Sequence, residues 1–312
     1  MTIWIIFIVG VIICLAIDLG VFNREAHVIS TKEATIWTSV WVTLALSMTG
    51  GIYYIYANGL VDNPTNLTAS GAAIKYITGY LIELSLSVDN IFVIAVIFSS
   101  FKIPMIFQHR VLFYGILGAI IFRALMIFFG VALINSISWA TYIFGAFLLY
   151  TAYKMYTTEE DAFNPEDSFV FKQIRKFFPI TKTIESEHFF VRKKWVLAAT
   201  PLFIALIVIE VTDVLFALDS IPAILAITSD PFLVFSSNIL AILGLRSMYF
   251  FLSNMLERFH YLEYSLIVIL SFVGVKLILA HHYKFPEWLS LSVIILSLGI
   301  GVFLSLRKPV EV

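Results

Sequence analysis

The stretch Glu83-Leu-Ser-Leu-Ser-Val-Asp89-Asn90-Ile91 lies inside a long apolar run and returns without gaps, in a second such run, as Asp213-Val-Leu-Phe-Ala-Leu-Asp219-Ser220-Ile221. Each reads acid, five residues, Asp, a small polar residue, Ile. Further along, Arg123 matches Arg246 and Lys154 matches Lys276, with Arg-to-Lys separations of 31 and 30 residues. The Asp-to-Arg separations, 34 and 27, differ by about two helical turns, as an insertion in the first copy would produce. The chain is thus read as two related units whose acids sit in apolar surroundings.

Composition says what those surroundings are. Of 312 residues, 60% are hydrophobic and 13% charged, with a mean hydropathy of +0.95, whereas a soluble domain carries about a quarter charged residues. A water-facing surface cannot be built from this set, so an all-α polytopic membrane protein is expected. The formal net charge of -1 suggests neither a nucleic-acid partner nor a polyanionic substrate. Cys14 is the only cysteine, which excludes an intrachain disulfide and a thiolate cluster and leaves it as a small buried hydrophobe. The N-terminal run from Ile3 to Phe22 has no basic flank and no A-x-A site, and reads as a retained helix.

A bilayer core about 30 Å thick takes about 20 apolar residues in helix. Nine spans are expected, near 3–22, 35–57, 72–98, 111–134, 138–157, 195–228, 232–253, 262–282 and 288–306. Lysine and arginine favour the cytoplasmic side of short loops. Odd-numbered loops and the C-terminus hold fourteen of them, while even-numbered loops hold only Lys284. That alternation predicts an odd number of spans, the N-terminus outside and the C-terminus in the cytoplasm. Two added spans (1–70) precede a three-helix repeat (71–157), a solvated cytoplasmic loop (158–194), the second repeat (195–284) and a last helix (285–312). Three spans per repeat turn the second copy upside down, an arrangement many secondary transporters use around a midplane site.

Six acids fall within apolar runs: Asp18, Glu83, Asp89, Glu210, Asp213 and Asp219. An Asp at a helix centre costs roughly 2.5 to 3.5 kcal/mol on insertion scales, so something must compensate them. Buried salt bridges with Arg123, Lys154, Arg246 and Lys276 account for part, but pairing contributes little net stability. The remaining carboxylates are read as facing a permeating ion. Six residues turn an ideal helix so that Glu83 and Asp89 point about 120° apart. Ser85 and Ser87, and Pro222 after Asp219, therefore mark an expected kink or unwound stretch. Carboxylates with Asn90, Ser220 and Asn238, and no thiolate, suit magnesium, calcium or manganese. His27, His109, His188 and His260 fall in or near loops, where a surface role is the simpler reading; His281 and His282 end span eight.

The strings from Glu83 to Val93, from Glu210 to Pro222, and Asn238-Ile-Leu-Ala-Ile-Leu-Gly244-Leu-Arg246-Ser247 resemble the signatures of the TerC/Alx family. Asp18-Leu-Gly-Val-Phe-Asn-Arg-Glu-Ala-His27 and Phe147-Leu-Leu-Tyr-Thr-Ala-Tyr-Lys154 are similar too, so the likeness runs over nearly the whole chain. It implies an inner-membrane protein of the lysine-exporter-like superfamily, associated with manganese efflux, with supply of metal to exported enzymes and, in its name, with tellurite resistance. An acid-lined path repels an oxyanion, which speaks against the last. The family's ion-binding acids match Glu83, Asp89, Glu210, Asp213 and Asp219. The transported ion expected from this is Mn2+, with lipid around the chain. Candidate protein partners are a second copy and the machinery of exported metalloenzymes. The competing readings are a non-transporting scaffold or assembly factor held by intramembrane salt bridges, and an intramembrane aspartyl protease. No Gly-x-Gly-Asp surrounds Asp89 or Asp219, so no enzyme is expected.

Overall fold

Polar caps and prolines set the helix ends. The computed structural model describes residues 2–22, 29–136, 139–157, 179–181, 184, 188–193, 196–252, 261–279, 282–283 and 285–307. Among these are α1 (Thr2–Phe22), α2 (Thr31–Ala57), α3 (Ala69–Ser100), α4 (Met105–Ser136) and α5 (Ala140–Thr157). A hairpin of β1 (Phe190–Lys193) and β2 (Val196–Ala199) follows, and then α6 (Pro201–Leu225), α7 (Pro231–Leu243), α8 (Leu245–Leu252), α9 (Leu262–Leu279) and α10 (Glu287–Arg307). Ser30 Oγ accepts from Glu33 N at 3.2 Å to open α2, and Thr68 Oγ1 accepts from Gly71 N at 3.1 Å to open α3. Asp230 caps α7 through Phe232 N and Leu233 N, with Pro231 in the first turn where a missing N–H costs nothing.

Two expectations change here. The sixth apolar run was read as helix from 195, but 196–199 pairs as β2, with Phe190 opposite Ala199. Thr200 explains the boundary: its hydroxyl donates to His188 O at 2.9 Å and can be shared with Phe189 O at 3.1 Å, and Pro201 starts the helix behind it. The expected break near Ser85, Ser87 and Pro222 is also absent. Both α3 and α6 run helical through those residues, Pro222 lying in the last turns of α6. The bend falls at Gly244 instead, where α7 and α8 meet at 43°. Most of the loop expected at 158–194, and His27, His260 and His281, lie outside the described residues.

By length and composition, four described helical stretches are apolar enough to cross a membrane: Thr31–Ala57, Met105–Leu133, Pro201–Leu225 and Trp288–Arg307. The bent α7–α8 pair makes a fifth, and Thr2–Asp18 and Tyr264–Leu279 are shorter apolar helices. The outer faces carry exposed large apolar residues, Phe128, Phe129, Ile121 and Leu296 among them, while the interior holds Arg123, Glu83, Asn238 and Arg246. That distribution is inside out for a protein in water and appropriate to one in lipid.

The closest helix packing is between partners far apart in sequence. α5 lies along α9, α4 along α6 and α3 along α7. Small residues let the first pair approach: a Cβ on Gly145 would lie 2.8 Å from Gly274 O, and one on Gly274 would lie 3.0 Å from Gly145 O. Hydroxyls tie other pairs, Tyr76 to Ala45 O between α3 and α2, and Tyr249 to Gln108 Oε1 between α8 and α4. Trp4 and Phe7 meet Phe232 edge to face and seat α1 on α7.

Candidate functional site

Arg123, on α4, is completely buried, and its guanidinium gathers side chains from three other helices. Nη1 donates to Glu83 Oε1 on α3 and, at 3.1 Å, to Asn238 Oδ1 on α7. Nη2 and Nε grip Asp213 on α6 in the two-pronged manner a planar guanidinium suits, at 2.8 and 3.2 Å. Asn238 closes the ring by donating from Nδ2 to Glu83 Oε2 at 3.2 Å. Glu83 and Asp213 each open one copy of the repeated sequence motif, so one arginine draws the first acids of both copies together. Formally, two carboxylates face one guanidinium, which leaves negative charge over.

Glu210 lies one turn before Asp213. Its carboxylate rests against the backbone of Gly118, where any Cβ would overlap it, and Oε2 is buried without a hydrogen bond among the described residues. Asp219 accepts a hydrogen bond from Thr151 Oγ1 of α5 at 2.9 Å and borders a cavity of about 100 Å³ with Asn90 and Ser220. A second cavity, about 30 Å³, lies beside Asp213 and Thr212 and is also lined by Asn90. Asn90 is 3% exposed and Ser220 1%. Neither amide atom of Asn90 nor the Ser220 hydroxyl makes a hydrogen bond among the described residues. Buried polar groups left so are costly in an apolar medium, and their place on a cavity wall beside carboxylates is where an ion or water would satisfy them.

The structure distributes the other candidates differently. Arg246, expected to balance acids of the repeat cores, donates instead from Nη2 to Asp18 Oδ1 at 2.7 Å and to Asp18 O at 3.0 Å, fastening α8 to α1. Lys276 donates to Ser290 Oγ at 2.8 Å and links α9 to α10, and Lys154 is exposed near the end of α5. Asp89 lies within α3, but its side chain is outside the described residues. Among the described residues no three His, Cys, Asp or Glu side chains form a metal-holding group. Sequence reasoning missed Thr151, although it stands one turn before Lys154 in a quoted motif. A hydroxyl in an apolar helix is a weak signal until its partner is known. It also missed Asp230, a fully buried carboxylate that serves as the α7 cap.

Comparison with known proteins agrees with this architecture. The family described as "Integral membrane protein TerC family" matches residues 68–310. An uncharacterized membrane protein of Myxococcus xanthus is 47% identical over 305 residues, covering 98% of this chain and 92% of its own length. An Escherichia coli K12 protein, provisionally named a membrane-bound redox modulator, Alx, is 48% identical over 289 residues, covering 92% of this chain and 89% of its own. An uncharacterized membrane protein of Rickettsia bellii is 43% identical over 308 residues, covering 98% of both chains. No solved structure matches.

Proposed function

This chain belongs to the TerC family of integral membrane proteins, and from that membership we propose that it exports divalent metal cations, Mn2+ first, across the inner membrane. It acts as a transporter rather than an enzyme. The observation that carries the reading is the set of buried oxygen groups around α3 and α6. Two cavities there are bordered by Asp213 and Asp219, with the unbonded amide of Asn90 in both and the unbonded hydroxyl of Ser220 in one. Oxygen ligands of this kind take Mn2+, Mg2+ or Ca2+. Asp89, Glu210 and Asp219 supply charge to the ion, with Asn90 and Ser220 as neutral ligands. Glu83 and Asp213 are shared with Arg123, and protons are the proposed coupling ion.

The proposed architecture is nine spans with the N-terminus outside, the C-terminus in the cytoplasm and two inverted three-helix repeats. Packing supports it. If α3, α4 and α5 correspond to α6, the α7–α8 pair and α9, a twofold relation maps the α4–α6 contact onto the α7–α3 contact and α5–α9 onto itself, and all three are present. Tags after Val312 and near Asp167 are expected in the cytoplasm and one near Asn63 outside. Finding Asn63 and Asp167 on the same side overturns the inversion.

A scaffold or assembly-factor reading is favoured by one observation, the Arg246–Asp18 pair, which holds helices together and faces neither cavity. It leaves Asn90, Ser220 and Glu210 Oε2 without a purpose. The redox role in the Escherichia coli relative's name, if met by a thiol couple, needs a second cysteine, and Cys14 is the only one in this chain. A second copy of the chain and the machinery of exported metalloenzymes are the proposed partners. The deciding experiment is metal uptake into inside-out vesicles, comparing Mn2+ with Mg2+, Ca2+ and Zn2+ across an imposed proton gradient. Mn2+ uptake no greater than in vesicles lacking the protein sinks the proposal.

A further inference from the structure

A third cavity, about 340 Å³, lies away from the carboxylates, between α1 and α2. Its α1 wall runs from Ile3 to Cys14 and its α2 wall from Leu44 to Ile55, with Phe232 and Leu240 of α7 behind. On each helix the lining residues recur mostly at every third or fourth position, the spacing of one face, and such apolar faces ordinarily pack on each other. Here they do not: α1 and α2 both lean on α7, and neither is a main partner of the other among the described residues. Gly10 deepens the gap, since a Cβ there would meet no other atom within 4 Å. The groove is continuous with the lipid-facing surface, for Ile6 and Leu44 on its walls are 61% and 39% exposed.

Dimensions decide what fills it. At about 1.5 Å per residue, the wall from Ile3 to Cys14 is about 16 Å long, roughly half of a hydrocarbon core about 30 Å thick and so the depth of one leaflet. Spread over that length, 340 Å³ is a channel roughly 5 Å across, half of the about 10 to 12 Å that a helix with its side chains occupies. A neighbouring helix is too thick for it, whereas an unbranched hydrocarbon chain fits. We propose that this groove holds one acyl chain of a membrane phospholipid, taken from the leaflet at the N-terminal end of α1, as a bound lipid distinct from the exchanging lipid coat. Consecutive spans joined by a short connection run antiparallel, so Ile3 and Ile55 form the headgroup end and Cys14 and Leu44 the end at mid-depth. No hydrophobic gain accompanies the transfer, because lipid is as apolar as the groove; dispersion contact with walls that otherwise face a void holds the chain. Phe7 on Phe232 and Asp18 on Arg246 fasten α1 on either side of Gly10, and the chain supports the stretch between them. The site depends only on the membrane setting and is independent of the ion carried.

The test uses the full chain in vesicles of phosphatidylethanolamine and phosphatidylglycerol, with a trace of phosphatidylethanolamine that carries a diazirine at the end of one acyl chain. After photolysis, label is expected on Cys14 and Leu44 in excess over exposed apolar residues elsewhere, such as Phe128 and Leu296. With the diazirine placed next to the headgroup instead, label is expected at Ile3 and Ile55. Gly10→Leu fills the gap and favours the helix, so it should fold and should cut this labelling several-fold. Gly299→Leu, whose Cβ likewise meets open space on α10, should leave it unchanged. Equal label on the groove and the outer faces, or labelling indifferent to Gly10→Leu, overturns the proposal and leaves only the ordinary lipid coat. A last arm tests closure of the groove: Ser47→Cys beside the native Cys14 is expected to stay reduced under mild oxidation. Rapid bridging means that α1 and α2 meet and leave no room for a chain, which also overturns it.

Discussion

Two buried arginines, each standing downstream of one copy of the repeated acid motif, have different work. Arg123 gathers Glu83, Asp213 and Asn238, joining α3, α4, α6 and α7. Arg246 reaches instead to the N-terminal helix and holds Asp18 on α1. The first holds a carboxylate, Asp213, that borders a cavity, whereas the second lies where the bent α7–α8 pair meets the N-terminal helix. The two arginines carry equal charge, and the helices packed around each decided which gathered acids from several helices and which became a fastening. An arginine inside a membrane protein is thus not by itself a functional signal; its partners are.

The largest effect that would break this contrast is on transport. Asp219→Asn and Asp89→Asn each remove a charge with little change in volume and ease insertion, so both proteins should reach the membrane at wild-type levels and carry no Mn2+ in vesicles. Full transport by either would make that carboxylate structural. Next comes Arg123→Ala. Breaking a buried pair costs roughly 3 to 5 kcal/mol, and here two carboxylates lose their partner, so detergent unfolding should show a greater loss than for Arg246→Ala. Equal losses would erase the distinction between the two sites.

A double-mutant cycle sharpens the Arg246 side. Arg246→Ala and Asp18→Asn should be coupled by about 0.5 to 3 kcal/mol in unfolding measurements, with metal selectivity unchanged in both. Additive losses would mean that the pair contributes nothing of its own. The smallest change is expected from Thr151→Val. It deletes one hydrogen bond to Asp219, so stability should fall by about 1 kcal/mol or less while Mn2+ affinity, measured by titration of uptake, changes several-fold. Unaltered affinity would detach Thr151 from the site.

The sequence alone determined the solvent, the helices and the problem to be solved. Apolar runs long enough to cross lipid become helices because a backbone in hydrocarbon must satisfy its own hydrogen bonds, and every apolar run read from the sequence contains a described helix. The repeated acid motif likewise required buried compensation, and Glu83, Asp213 and Asn238 were legible as candidates before their partners were. Tertiary structure alone decided who compensates whom. Arg123 meets acids 40 and 90 residues away, and Arg246 meets one 228 residues away; no local periodicity encodes such distances. The bend fell at the junction of α7 and α8, while Pro222 was accommodated within α6 three residues before its end. The place of Thr151 beside Asp219 was invisible for the same reason: a hydroxyl in an apolar helix acquires meaning only from the groups that packing brings to face it.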